Sequence, residues 1–96
     1  MIKHVVCFKL NEGEDPVRAK EVLMGMLGNV PSVIDIEVGV DFLHSARSYD
    51  VILTVTLESR EMLDKYQNDP YHVNVVKKHM HAVTKSSVSV DFETGK

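Results

Sequence analysis

Four stretches of this chain alternate apolar and polar residues with period two, and two stretches between them repeat at helical spacing. The order in which those periods switch limits the fold more than any other feature. In residues 2–10, Ile2, His4, Val6, Phe8 and Leu10 share one side, with Lys3, Val5, Cys7 and Lys9 on the other. Period two with β-branched and aromatic residues predicts a strand. Residues 33–43 set Ile34, Ile36, Val38, Val40 and Phe42 against Asp35, Glu37, Gly39 and Asp41. Residues 49–57 set Tyr49, Val51, Leu53, Val55 and Leu57 against Asp50, Ile52, Thr54 and Thr56. Residues 86–92 set Val88, Val90 and Phe92 against Ser87, Ser89 and Asp91. The short polar run 44–48 makes the second and third strands an antiparallel hairpin.

The helical stretches carry their own start signals. Asp15-Pro16 and Asp69-Pro70 repeat one dipeptide. Proline has helical φ and no N–H, so it fits a first turn, and the aspartate before it can accept from free N–H groups. After Pro16 the stripe Val17, Val22, Leu23, Met26, Leu27 and Val30 predicts a helix ended by Gly28-Asn29 and Pro31. A second helix opens at Ser59, carries Met62, Leu63 and Tyr66, and breaks at Asn68-Asp69-Pro70. A further segment runs from Pro70 to about Lys85, with Val73, Val76, Met80 and Val83 at helical spacing.

The resulting order, βαββαβ, is the ferredoxin-like α+β fold: a four-stranded antiparallel sheet with its helices on one face, as a single domain over 1–96. The second sheet face is left uncovered, yet it carries Val5, Cys7 and Ile52. Covering it with a second copy, sheet against sheet, predicts a homodimeric α/β barrel. Eleven basic against 14 acidic residues, interspersed, give a net charge of −3 and no basic patch, which argues against a nucleic-acid partner. One cysteine permits no intrachain disulfide, and Cys7 reads as a core thiol. No apolar run reaches the length of a signal peptide core or a membrane span, so a cytoplasmic protein with no membrane partner is expected.

Chemistry concentrates around the second Asp-Pro. His72 falls in the first turn after Pro70, where the positive end of the helix dipole disfavours its protonation. Such a histidine suits base chemistry near neutral pH. Tyr66 lies just upstream, so a Tyr/His acid–base pair and a purely structural helix junction are competing readings. His4 is either a core histidine or a pocket donor facing the helices. His79 and His81 face different ways on a helix, and His72 and His79 are two turns apart, about 10 Å, so neither pair is expected to share a metal. The acidic row Asp35, Glu37 and Asp41 reads as a solvated face or dimer rim. No phosphate-binding loop, nucleophile elbow or dinucleotide fingerprint is present, and no cofactor is expected.

The opening Ile2-Lys3-His4-Val5-Val6, the passage Val55 to Ser59, the segment Tyr66…Asp69-Pro70-Tyr71-His72-Val73 and the closing Ser87 to Phe92 together resemble the stress-responsive A/B barrel (Dabb) family over nearly the whole chain. The Tyr-x-x-x-Pro-x-His spacing is the most specific part. The resemblance implies a dimeric α/β barrel of ferredoxin-like subunits. In the family's plant olivetolic acid cyclase branch it further implies a cofactor-free, lyase-type intramolecular aldol reaction on a polyketide thioester. Tyr66, His72 and His4 match catalytic or pocket positions of that branch, whereas its third-strand histidine is Val51 here. The expectation is a cofactor-independent cyclase- or lyase-type enzyme for a small apolar carbonyl ligand, with His72 and Tyr66 as the acid–base pair and His4 beside them. Val6, Phe8, Leu53 and Met80 would line the pocket. The alternative is a dimeric ligand-binding or stress-stability protein without chemistry. Monooxygenases and haem-degrading enzymes with the same barrel architecture form a third class.

Overall fold

A computed structural model of the chain describes residues 1–95. The elements follow the expected order: β1 (Ile2–Leu10), α1 (Pro16–Met24), β2 (Asp35–Val40), β3 (Val51–Leu57), α2 (Arg60–Asn68), a π-helical segment (His72–Lys77), α3 (Lys78–Val83) and β4 (Thr84–Glu93). The sheet has the strand order β2-β3-β1-β4, antiparallel throughout. Both central strands send their more apolar side toward the helices: β3 a wholly apolar one, β1 an apolar one interrupted by His4. Val51, Leu53, Val55 and Leu57 are buried there with Ile2 and Leu10, beside Ile36 and Val38 of β2.

The helix starts are set as the sequence predicts. Asp15 Oδ1 accepts from Val17 N–H at 2.9 Å, with Pro16 in the first turn. Ser59 caps α2 by accepting from Met62 N–H at 3.3 Å. Helix α1 is shorter than its stripe suggests and ends at Met24. Beyond it, tight turns carry Met26 and Val30 into the core while Val17 and Leu27 stay exposed. Gly28 supplies the left-handed residue those turns need, at φ 88°.

Three further expectations change. The second strand stops at Val40, and Phe42 is 89% exposed rather than sharing the apolar face. Asp41 Oδ2 accepts from His44 N–H at 2.7 Å and turns the chain there. The last helix ends at Val83, two residues early, because Thr84 already pairs with Leu10 in the sheet. Val73 is exposed rather than core, and the inward row is instead His72, Val76, Met80 and Val83. The wider i→i+5 turn runs from His72 to Lys77 and opens that inward row.

Alternation gave β4 two faces without saying which is inward. Pairing with β1 sets His4 opposite Asp91, Val6 opposite Ser89 and Phe8 opposite Ser87. The polar side of β4 therefore faces the helices. Val88, Val90 and Phe92 join Ile52 on the open face, all substantially exposed. Cys7 lies on that open face too, half-buried between Ile52 and Val88, so it is not a core thiol.

Candidate active site

The site is built where α2 gives way to the π-helical segment. Asp69 Oδ1 accepts from Tyr71 N–H at 2.9 Å and from His72 N–H at 3.4 Å. The helical path begins at Pro70 and widens into π geometry at His72. Such turns are rare and tend to sit at functional sites. The junction swings Tyr66, from the end of α2, against His72, with ring centroids 4.5 Å apart and planes tilted by 32°. His4 of β1 meets the other side of Tyr66 edge-on, at 5.4 Å.

These rings border a cavity of about 180 Å³ between the sheet and the π–α3 segment. Val6, Phe8, Leu53 and Met80 supply its apolar wall. All seven residues singled out from the sequence thus surround one space. Typical drug-sized sites span ~300–1,000 Å³, so this cavity suits a small ligand.

Electrostatics give the three polar rings different characters. Tyr66 is 1% exposed. Burial, reinforced by the negative charge of Asp91, pushes its pKa well above the usual phenol range. The hydroxyl is held protonated, as a donor. His72 is shifted below the ordinary imidazole range. The largest cause is burial, which disfavours the charged ring; Lys77 and His4 act the same way. The Gln67 carbonyl and Asp69 pull in the opposite direction. The direction is the one the helix dipole predicts, but desolvation is the larger cause. His72 Nδ1 is sealed from solvent and meets no partner in hydrogen-bond geometry. His4 Nδ1 pairs with Asp91 Oδ1. A carboxylate on one ring nitrogen fixes the imidazole's orientation.

The ferredoxin-like fold has counterparts among known proteins. The family model of the stress-responsive A/B barrel domain matches residues 2–94. The chain belongs to that family. No curated protein matches it closely enough to pair the two by sequence. Among solved structures, At3g17210 from Arabidopsis thaliana is 20% identical, covers 100% of this chain and 97% of its own, and superposes with a TM-score of 0.83. A dimeric ferredoxin-like protein from Thermobifida fusca is 21% identical over 97% of this chain and 90% of its own, at a TM-score of 0.79. The hydroxynitrile lyase of Passiflora edulis is 14% identical over 99% and 94%, also at 0.79. At these identities the likeness is one of fold.

In this A/B barrel chain, sequence reasoning missed Asp91, Lys77, His81, Thr84 and Ser87. Four of them border the cavity, and Asp91 acts on it through His4. Asp91 stood on the polar side of a strand whose register was unknown, so nothing tied it to His4. Lys77 and His81 lie four apart, one helical turn, which is a usable signal only once the inward face is known. Among the described residues, no three His, Cys, Asp or Glu side chains are placed to hold one metal ion. No described helix is long and apolar enough to cross a membrane.

Proposed function

We propose that this A/B barrel protein is a cofactor-independent enzyme that moves a proton next to the carbonyl of a small substrate, in cyclase- or lyase-type chemistry. The observation that carries this reading is the Tyr66–His72 pair at 4.5 Å on the wall of a small, mostly apolar cavity. His72 is the base: its lowered pKa leaves the ring neutral near pH 7, ready to take the proton. Tyr66 donates its hydrogen bond to the oxygen on which negative charge develops, and its raised pKa keeps that donor available. Asp91 holds the His4 ring so that it positions the substrate against the pair.

The test is α-proton exchange. A panel of small ketones and β-diketones in D₂O, followed by NMR, is expected to show enzyme-dependent deuterium incorporation. His72→Gln should remove ~10²–10⁴-fold of it, the usual contribution of a positioned base. No enzyme-dependent exchange with any member, while the same compounds still bind, would leave the protein a ligand-binding dimer without chemistry.

The same reading includes a homodimer closed through the open sheet face. Its support is the exposed row Ile52, Val88, Val90 and Phe92 and the dimeric neighbours of this fold. Light scattering should give twice the chain mass, and Val90→Lys should shift it toward the monomer. A native monomer would end the barrel proposal.

A further inference from the structure

The cavity that holds the Tyr66–His72 pair has further polar lining that proton transfer does not use: Lys77, His81, Thr84 and Ser87 border the same space. Thr84 Oγ1 is sealed from solvent and has no hydrogen-bond partner. Leaving a buried hydroxyl unpaired costs ~1–3 kcal/mol, so an acceptor arriving there is rewarded. No described residue forms an ion pair with Lys77. Lys77 and His81 are one turn apart on the helical path, and Lys77 is five residues, one π turn, from His72. The negative charge lies elsewhere. Asp91 is four residues along β4 from Ser87, about 13 Å at ~3.3 Å per residue.

We propose that the cavity selects a small carbonyl compound bearing a carboxylate. The carboxylate docks on Lys77, His81 and the Thr84 hydroxyl, and the carbonyl reaches Tyr66 and His72. The idea rests on the proposed proton-transfer reading for the carbonyl end and extends it to a substrate class, short-chain oxo acids. Charge fixes the binding direction. An anion is attracted to Lys77 and repelled from Asp91, so the ligand enters carbonyl-first. One turn between His72 and Lys77 allows a spacer of only a few carbons. A carboxylate suits the donors present: one ammonium, one imidazole N–H and one hydroxyl border the same small cavity.

The experiment compares levulinate with methyl levulinate, which share the ketone and differ in the charge. Binding is read by titration calorimetry or protein NMR, and α-deuterium exchange is read in the same samples. Levulinate should bind about tenfold or more tightly than the ester, the scale of one charge-assisted hydrogen bond. That preference should fall to near unity in Lys77→Met, weaken in Thr84→Val and persist in Tyr66→Phe. Equal affinity for acid and ester, no binding of levulinate, or an undiminished preference in Lys77→Met would overturn the carboxylate subsite. A Lys77-dependent preference without any deuterium exchange would instead sink the catalytic reading while supporting the subsite.

Discussion

Two halves of the helical layer begin with the same dipeptide and end in opposite states. Asp15-Pro16 opens α1, and behind it Ala19, Met26 and Val30 seal against the sheet with essentially no exposure. Asp69-Pro70 opens the other half, where the π-helical segment and α3 stand over β1 and β4 and leave a cavity. The caps are alike, so the difference comes from the residues downstream of each. Behind Pro16 the chain offers small and branched apolar residues to an apolar sheet. Behind Pro70 it offers His72, Lys77 and His81, and β4 answers with Thr84 and Ser87. Close packing requires complementary apolar volume on both sides. Where polar groups line both walls, a space persists that a ligand can fill. One half of the layer is thus sealed and the other holds a cavity.

The contrast can be broken most sharply at His72. His72→Gln should cut proton-transfer activity by ~10²–10⁴-fold, with only a modest change in thermal stability. A melting temperature that falls steeply in that variant would return the junction to a structural role. The converse experiment is Met26→Ala on the sealed side. It should cost ~2–5 kcal/mol in urea denaturation, with exchange activity per folded molecule preserved.

The paired caps sharpen the comparison further. Asp15→Ala and Asp69→Ala should each cost ~0.5–2 kcal/mol. Only Asp69→Ala should also impair activity, since its carboxylate fixes the backbone of Tyr71 and His72. Equal activity in both variants would show that the second cap does not position the site. The smallest effect concerns pH. Because burial lowers the His72 pKa, the unfolded chain takes up that proton first as pH falls. Stability should decline as pH drops below about 6.5, the ordinary histidine value, and level off below the folded value. Comparing urea midpoints of native protein and His72→Gln across that window isolates this contribution, which the variant should lack.

The open sheet face shows the same division of labour in another form. Val88, Val90 and Phe92 are more apolar than anything β4 shows the helices, yet they point outward. A one-residue change of register would exchange the two faces, fill the cavity with valine and phenylalanine, and expose Asp91 and the serines. Pairing with β1 prevents this, and Asp91 opposite His4 is its consequence.

Beyond the Tyr66, His72 and His4 group, which the resemblance to the A/B barrel family implied, the sequence by itself determined the order βαββαβ, both Asp-Pro helix starts, the Ser59 cap, and the inward faces of β1 and β3. These follow from local rules: period two or helical period, proline φ, and short side chains accepting from free N–H groups. Only the tertiary structure decided which face of β4 turns inward, and with it the Asp91–His4 pair and the hydroxyls of Thr84 and Ser87. It also decided the π turn at His72–Lys77, the early end of α1, and the exposure of Phe42. Those outcomes depend on strand register and on how a helix is accommodated against a sheet. Both are set by contacts between residues far apart in the chain, and no local period encodes them.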